Sequence, residues 1–521
     1  MTITSLTTPP AGEPAASRDP RRVTGPAILL GAIVLTAAGV IAACSVGPSA
    51  SDGSALRPGV PAFESPLPIP PLAESRVVDG TRVFSLTADE GTMEFVDGVS
   101  TPTWGFNGDY LGPTLRAARG ERVAVEVTNR LPETTTVHWH GMHLPAAMDG
   151  GPHQPIEPDG GWRPTWRIDQ PAATLWYHPH PHGATEEHVV RGLAGMFILD
   201  DADSGAHGLP SQYGVDDIPL VVQDTKLQAD GEFELDSQGN EVGLLGNMIL
   251  TNGAWGAVLD VTTELVRLRI LNGSSARTYD FAFDDLREFA LVGTDGGLLE
   301  APHPTDHVRL SPGERAEIVV RLDPGSQTML RSRPPDLGDV AVPFAYGGTD
   351  EHDVLLLRAA AALQPSAQLA ERFSTIERHT ASEADYERTF DVQNREINGR
   401  RMDMGRAEVM QVGSTELWNV TNRDLFPHNW HVHDVQFQVL DIDGDPPPPE
   451  LMGWKDTIYL EPRRQYRIMM RFEDYADDEN PYMIHCHLLL HEDEGLMTQF
   501  VVSERGPRSD AETVGSDGHA H

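Results

Sequence analysis

Four pairs of histidines, each separated by one residue, are the strongest chemical signal in the sequence: His138/His140, His178/His180, His431/His433 and His485/His487. On a β-strand, side chains at positions i and i+2 point to the same face, so each pair offers two imidazoles to one site. A single pair would be interpreted as a chance surface or core feature. Four pairs suit a cluster of several borderline transition metals, because hard-ion sites are built from carboxylates instead.

A cysteine lies inside the last of these pairs. Cys486 stands between His485 and His487, so its sulfur should point to the opposite face of the strand. There it can meet His491, five residues later, and His428 from a loop at the end of the preceding strand. One thiolate with two histidines is the ligand set of a blue-copper electron-transfer centre. The same strand would then join that centre to the histidine cluster by a short covalent path.

The elements that position these residues repeat along the chain. Residues 127–132 precede the first histidine pair, and residues 420–425, with a similar sequence, precede the third. Residues 268–273 have the same strand-then-asparagine pattern, but no histidine pair follows them. Repeats about 150 residues apart predict three related domains, of which the middle one lacks metal ligands. Alternating runs such as 122–127, with 49 Gly and 41 Pro for turns, predict an all-β fold of three Greek-key sandwiches.

The composition sets further limits. A net charge of −39 excludes an ordinary nucleic-acid binder, since phosphate contacts need clustered Lys and Arg. Two cysteines leave no room for a disulfide framework. The acidic surface either concentrates cationic substrates or maintains solubility.

The N-terminus has the pattern of an export signal. Arg21 and Arg22 precede an apolar stretch from Ala27 to Ala43, which ends at Cys44. The last four residues of this segment resemble a bacterial lipoprotein box, so we expect a lipidated Cys44 and a membrane-anchored periplasmic or cell-surface protein. A plain signal or an uncleaved anchor is the alternative. The arginine pair does not decide between general secretion and twin-arginine export.

These patterns give a domain plan. We predict a lipoprotein-type signal at residues 1–44, a flexible linker at 45–70, a first domain with cluster ligands at 71–205, a second domain without ligands at 206–365, a third domain with both kinds of ligand at 366–505, and a disordered tail at 506–521.

The motifs as a set resemble those of three-domain multicopper oxidases, closest in pattern to bacterial laccases and copper efflux oxidases. The resemblance covers about residues 65–505 and implies three cupredoxin-like domains holding four copper ions. It assigns type 2 copper to His138 and His431, a type 3 pair to His140, His178, His180, His433, His485 and His487, and type 1 copper to His428, Cys486 and His491. It also implies four one-electron oxidations at type 1 copper, coupled to reduction of O2 to two waters at the other three coppers.

One position departs from the bacterial pattern. Relatives usually carry an axial methionine ten residues after the cysteine, where this chain has Leu496, with Met497 next to it. Leucine cannot bind copper, and loss of a weak axial thioether should raise the type 1 potential. A one-residue slip in the loop could instead bring Met497 to the copper, although strand alternation turns it away.

Three acids are candidates for catalytic roles. Reducing O2 to water consumes four protons, and Glu492 and Asp149 match acids that serve as proton donors in similar oxidases. Asp424 could accept a proton from a phenol or hold a cation. Phe426 lies where a methionine often precedes the type 1 histidine. The segment from Gly453 to Thr457 matches the family too, and we interpret it as structural.

The leading hypothesis is an extracytoplasmic, monomeric, laccase-like oxidase that takes electrons from phenols or aromatic amines and passes them to O2. An oxidase of Cu(I) or Mn(II) is the alternative, although the Met-rich insert of copper efflux oxidases is absent. A copper-binding or structural envelope protein without oxidase activity is the third hypothesis. All ten histidine ligands and Cys486 are retained, which speaks against it.

Overall fold

The computed structural model describes Leu56, residues 59–506 and residues 512–513. The predicted signal, Cys44 with its predicted lipidation, and most of the tail lie outside the described residues. Within the described part, no helix has the length and apolarity needed to cross a membrane.

The described part of the chain forms short strands almost throughout, with two α-helices of little more than one turn. The first part contains β1 (Ser65–Pro66), β2 (Arg76–Val78), β3 (Thr81–Val96), β4 (Val99–Phe106), β5 (Leu115–Ala118), β6 (Arg122–Asn129), β7 (His138–His140), β8 (Gly161–Trp162), β9 (Thr165–Arg167), β10 (Ala173–His178), α1 (Thr185–Val190) and β11 (Gly195–Asp200).

The middle part follows with twelve strands: β12 (Asp217–Thr225), β13 (Met248–Thr251), β14 (Ala254–Trp255), β15 (Ala257–Thr263), β16 (Leu265–Asn272), β17 (Tyr279–Phe283), β18 (Phe289–Thr294), β19 (Gly297–Thr305), β20 (His307–Leu310), β21 (Arg315–Arg321), β22 (Gln327–Arg333) and β23 (His352–Gln364).

The last part contains β24 (Tyr386–Gln393), β25 (Glu396–Ile397), β26 (Arg406–Gln411), β27 (Thr415–Asn422), β28 (His428–Val432), β29 (Phe437–Ile442), β30 (Thr457–Leu460), β31 (Gln465–Arg471), β32 (Asp477–His485), α2 (Leu489–Asp493), β33 (Met497–Ser503) and β34 (Glu512–Thr513). Short 3-10 helices lie at Ala146–Met148, Pro343–Tyr346, Ala381–Glu383 and Pro449–Leu451.

These strands form six sheets, which is the predicted all-β architecture. The first part contributes the order β2-β3-β6-β8, with β4 on β3 and β9 on β6, and the order β5-β11-β10-β7. The middle part contributes β14-β13-β12-β16-β21-β18-β19 and, with β1 from the first part, β1-β15-β23-β22-β17-β20. The last part contributes β25-β24-β27-β31-β29 and β30-β28-β32-β33-β26-β34. Three large apolar cores go with them, around Trp139 and Phe197, around Ile270 and Phe281, and around Trp418 and Trp430. The prediction of three cupredoxin-like sandwiches is therefore confirmed.

The repeated asparagine shows how closely the three domains correspond. Asn129, Asn272 and Asn422 each end a strand and are fully buried. In each case the side-chain amide donates to two backbone carbonyls further along the chain. A buried amide with its donors satisfied fixes the loop that follows. In the first and third domains that loop leads to a histidine pair.

Two strands lie inside segments that the sequence predicts as a flexible linker and a disordered tail. Strand β1, inside the predicted linker, pairs with β15 of the middle domain, and the next residue, Leu67, is buried in that domain's core. Strand β34, inside the predicted tail, pairs with β26. The exact domain limits stay a prediction.

Strand register brings the histidines together. In the first domain β7 pairs with β10, and His138 is the direct partner of His178. In the third domain β28 pairs with β32, and His431 is the direct partner of His485. Directly opposed residues of antiparallel strands have side chains on the same face, so each domain offers one histidine-bearing face.

Candidate metal centres

The eight paired histidines meet where the first domain faces the third. All are buried, with at most 1% of any of them exposed. The rings of His138 and His433 stack with their centroids 3.7 Å apart, and so do those of His140 and His431. Three trios of donor atoms lie within 4.8 Å of one another: His138, His140 and His178; His138, His431 and His433; His180, His433 and His485.

The hydrogen bonds fix which ring nitrogen of several histidines is free. The Nδ1–H groups of His138, His178 and His431 donate to backbone carbonyls of Asp149, Pro179 and Asp456 over 3.0, 2.8 and 2.9 Å. A carbonyl can only accept, so the proton must be on Nδ1 and the lone pair on Nε2. Among the described residues those three Nε2 atoms have no hydrogen-bond partner. An outer N–H held by an acceptor and a bare inner nitrogen is the pattern of a metal-binding histidine.

In the trio of His180, His433 and His485 the inner ring nitrogens face one another directly. The Nε2 atoms of His180 and His433 each lie 3.2 Å from Nε2 of His485. The Nδ1 of His433 points to Asp149, which leaves its Nε2 as a lone pair facing another imidazole. Lone pairs converging at this distance need a proton or a cation between them. Burial and the neighbouring rings hold the pKa of His433 well below its usual value, which favours a metal cation over a proton.

Two of the predicted acids touch the cluster directly. Asp149 Oδ2 accepts from His433 Nδ1 at 2.7 Å, and Glu492 lies 3.1 Å from His180 Nδ1 and 3.2 Å from His485 Nδ1. Both carboxylates are 1% exposed. Burial raises the pKa of Glu492, but His180 and His485 outweigh it and hold the pKa below its ordinary value.

A third carboxylate at the cluster was not predicted. Asp456 Oδ1 lies 3.0 Å from His140 Nε2, and its backbone carbonyl accepts from His431. Arg315 of the middle domain donates to both carboxylate oxygens, at 2.7 and 2.6 Å. Lys455 pairs with Asp295 at 3.0 Å and with Glu314 at 2.7 Å. All five charged side chains of this buried network are at most 3% exposed.

The middle domain therefore contacts the cluster although it supplies no histidine. Gly313 lies against His487, and a Cβ placed there would come within 3.0 Å of the imidazole ring. Its φ of +85° also favours glycine. Gly141, directly after the first histidine pair, has φ +83°. A Cβ placed on it would come within 2.6 Å of Asp456 Oδ2 and 2.7 Å of Arg315 Nη2.

The second predicted site lies on the other side of the same chain segment. Cys486 Sγ is 3.5 Å from His491 Nδ1 and 3.7 Å from His428 Nδ1, and the two Nδ1 atoms are 3.1 Å apart. All three side chains are buried. Strand β32 ends at His485, one residue before the cysteine, but the Cys486 N–H still donates to Leu496 O at 3.1 Å. His428 begins strand β28, so it is not in the loop that the sequence suggested.

The charge state of the cysteine depends on a bound cation. Burial raises the pKa of the Cys486 thiol to about 12. The Asn429 N–H donates to the sulfur at 3.4 Å and lowers that pKa only in part. A metal ion bound by a thiolate displaces the thiol proton outright.

Leu496 and Met497 are the two candidates for the position beside the second site. Leu496 is fully buried in the same apolar cluster as Cys486. Met497 is the direct strand partner of His485, so its side chain lies on the cluster face, away from the cysteine. This register favours Leu496 over Met497 beside the second site.

Both histidines of the second site donate a hydrogen bond through the ring nitrogen that points away from the cysteine. Asp424 Oδ2 accepts from His428 Nε2 at 3.0 Å, and the Glu241 carbonyl accepts from His491 Nε2 at 2.5 Å. The Phe426 ring packs at an angle against both imidazoles, with its centroid 5.0 Å from that of His428 and 6.0 Å from that of His491. The predicted acid Asp424 is thus part of this site, while Glu241 was not foreseen.

All fourteen predicted site residues fall into these two centres. Ten of the eleven predicted ligands belong to the donor groupings, and the acids Glu492, Asp149 and Asp424 each contact one of them. The eleventh, His487, lies in the cluster through its ring, whose centroid is 5.0 Å from that of His140 and 5.1 Å from that of His178. Other histidines are used elsewhere: His188 is paired with Glu133, and His153 with Gln499. Imidazole and thiolate donors in these groupings fit copper, and a carboxylate-preferring hard ion would not suit them.

Comparison with known proteins agrees with this chemistry. Three family models, each described as multicopper oxidase, match residues 87–204, 224–332 and 374–506. The multicopper oxidase mco of Staphylococcus haemolyticus is 33% identical over 440 residues, 83% of this chain and 92% of that protein. The cell division protein FtsP of Xenorhabdus nematophila is 33% identical over 457 residues, 84% of this chain and 93% of that protein.

A solved structure is equally similar. The laccase-like multi-copper oxidase CueO from Ochrobactrum sp., described as active towards lignin model compounds and lignosulfonate, superimposes with a TM-score of 0.77 and 34% identity. The match covers 84% of this chain and all of that one.

Proposed function

The chain belongs to the multicopper oxidase family, and we propose that it is a laccase-like enzyme that oxidises phenols or aromatic amines one electron at a time and reduces O2 to water. Its type 1 copper ligands are His428, Cys486 and His491. Its cluster ligands are His138 and His431 for type 2 copper and His140, His178, His180, His433, His485 and His487 for the type 3 pair. Bound copper supplies the one-electron redox chemistry, with four ions in all.

The observation that carries this proposal is the position of Cys486 between two cluster histidines. His485 reaches the Nε2 atoms of His180 and His433, while the sulfur one residue later faces His428 and His491. Two sites joined by so few covalent bonds can exchange electrons without any motion of the protein. A metal-storage protein has no use for such a connection.

Protons for O2 reduction come from buried acids in this proposal. Glu492 spans His180 and His485, and Asp149 spans His433 and His138, so both carboxylates lie beside the place where O2 reacts. Neither is exposed, so each transfers protons relayed from other groups. General acids placed in this way contribute roughly 10²–10⁴-fold to a rate.

The surroundings of the type 1 ligands support an organic donor. Leu496 offers no axial ligand, which raises the potential and suits donors that are hard to oxidise. Phe426 packs an aromatic ring beside the histidines, and Asp424 lies at the outer edge of His428 as a proton acceptor for a phenol. Oxidation of Cu(I) or Mn(II) is the second candidate, since Asp424 and the net charge of −39 would also attract a cation.

We place the enzyme outside the cytoplasmic membrane, attached through a lipidated Cys44. The support for this location is the apolar segment before Cys44 in the sequence. The FtsP relative is named as a cell division protein. Relatives of that name also make a structural role worth testing, but the complete ligand set argues for an oxidase. We expect a monomer.

The test is O2 uptake by the copper-reconstituted full chain with 2,6-dimethoxyphenol, Cu(I) and Mn(II) in parallel. The Cys486→Ser variant is the control, because it removes the type 1 thiolate and leaves the cluster histidines in place. Rapid phenol turnover that is lost in the variant supports the proposal. A strong preference for Cu(I) or Mn(II) contradicts the organic substrate, and no uptake at full copper loading contradicts the oxidase.

A further inference from the structure

A two-residue hairpin turn reaches both histidines of the proposed type 1 site. Strands β24 and β25 are joined by Asn394 and Arg395, whose φ angles are 54° and 59°. Two consecutive left-handed residues define a tight hairpin turn in which the backbone direction is fixed. Both residues therefore have set positions relative to the site.

The turn acts on the two histidines through their outer partners. The Asn394 N–H donates to Asp424 Oδ2 at 2.8 Å, the same oxygen that accepts from His428. The Arg395 Nη2 donates to the Glu241 carbonyl at 3.1 Å, the same carbonyl that accepts from His491. One turn thus fixes the hydrogen-bond acceptors of both ligands.

The arginine also brings a positive charge close to the site. Its guanidinium is paired with the carboxylates of Glu494 and Glu241, and only 20% of the side chain is exposed. One hydrogen-bonded carbonyl, that of Glu241, separates the guanidinium from the His491 ring. A positive charge held at this place disfavours extra positive charge on a metal bound by that imidazole.

We propose that Arg395 is a positioning residue that raises the reduction potential of the type 1 copper. The inference rests on the proposed function, since it needs copper bound by His428, Cys486 and His491. Reduction from Cu(II) to Cu(I) removes one positive charge, so a neighbouring guanidinium stabilises the reduced state relative to the oxidised one. The same side chain holds the Glu241 carbonyl that accepts from His491.

The experiment is a redox titration of the type 1 absorption band in the copper-loaded full chain and in the variant Arg395→Gln. Glutamine keeps much of the length and a hydrogen-bond donor but loses the charge. We expect the equilibrium constant for reduction to fall about tenfold, which is a potential lower by about 59 mV for one electron. Arg395→Lys should restore most of the potential, because the charge returns.

Two further variants separate the charge at this site from other effects. Glu494→Gln removes a compensating negative charge, and we expect it to raise the potential. Arg358→Gln removes one positive charge from an exposed pair with Asp260 in the middle domain, and it should leave the potential unchanged.

Failure of the inference and failure of the proposed function give different results. An unchanged potential in Arg395→Gln, with an intact type 1 band, overturns the inference. A potential that shifts in the same direction in Glu494→Gln as in Arg395→Gln overturns it too. Absence of a type 1 band in the unaltered chain at full copper loading overturns the proposed function instead.

Discussion

Replacing Arg315 with methionine tests whether the middle domain supports the cluster. Arg315 is fully buried and donates twice to Asp456 of the third domain. It also donates to the backbone carbonyls of Thr174, Gly313 and Asp295 at 3.0–3.1 Å. Through Thr174 the same guanidinium reaches the first domain, so one side chain joins all three.

The expected cost follows from these contacts. Removing one partner of a buried ion pair costs about 3–5 kcal/mol, because the other charge stays buried without compensation. Each kcal/mol of destabilisation lowers the melting temperature by about 2–4 °C for domains of this size. We therefore expect Arg315→Met to lower the melting temperature of the copper-free chain by about 6–20 °C.

A double-mutant cycle with Asp456→Asn isolates the pair. Once Asp456 is neutral, loss of Arg315 no longer leaves that charge buried alone, so the double variant should be more stable than the sum of the single changes predicts. Coupling within a buried network is typically about 0.5–3 kcal/mol. Urea unfolding of copper-free protein measures it without a contribution from metal binding.

The copper-loaded variants give an independent readout. Asp456 orients His140 and His431, and loss of such a support typically costs about 10–100-fold in metal affinity or activity. We expect Asp456→Asn to weaken the type 2 and type 3 signals while the type 1 band persists. Two results would refute the reasoning. One is a double variant whose loss in free energy of unfolding equals the sum of the two single losses. The other is an Arg315→Met variant whose free energy of unfolding lies within about 1 kcal/mol of the parent's.

Three more predictions concern single residues. Leu496→Met should lower the type 1 potential by adding a thioether, at little cost in stability because the volumes match; redox titration checks it. Glu492→Gln should slow reoxidation by O2 about 10²-fold and leave anaerobic reduction of type 1 copper by a phenol unchanged, which stopped-flow absorption measures. Burial lowers the pKa of His143, but the carboxylates of Asp434 and Asp474 outweigh the effect of burial and raise that pKa to about 10. Because the folded-state pKa lies above the unfolded one, this stabilisation is complete below about pH 6.5 and lost as the pH rises through 10. Urea unfolding of copper-free His143→Gln should therefore differ from the parent most at about pH 6 and least near pH 10.

Each of these has a distinct contrary outcome. An unchanged potential in Leu496→Met places the new sulfur away from the copper. Equal slowing of both half-reactions in Glu492→Gln assigns that residue a structural role. A constant stability difference across pH for His143→Gln means that its charge contributes nothing.

The local part of the site could be predicted from the sequence, and the contacts between domains could not. The spacing of His138 and His140, or of His485 and His487, is enough to place two imidazoles on one strand face, because strand geometry has a period of two. The same rule sets Cys486 on the opposite face. These inferences need no knowledge of what the strand packs against.

The two-residue period of a strand does not predict the contact between Asp456 and Arg315. From the sequence alone we interpret the segment from Gly453 to Thr457 as structural. Its aspartate gains a role only when β30 and β28 pair and the middle domain adds the arginine. Arg315 is 141 residues from Asp456. An arginine at the start of an ordinary strand carries no local sign of its partner, and neither does the carbonyl of Glu241 in a loop.

The pairing of first-domain and third-domain histidines also orders events in time. His180 and His485 are neighbours in space but 305 residues apart in the chain. At roughly 5–20 residues per second, a ribosome needs roughly 15–60 s to add that many residues. For most of that interval, until His431 is added, the nascent chain has only one side of the cluster, and Cys486 is still to come. An unfinished copy therefore lacks ligands of both proposed sites until Cys486, His487 and His491 have been added.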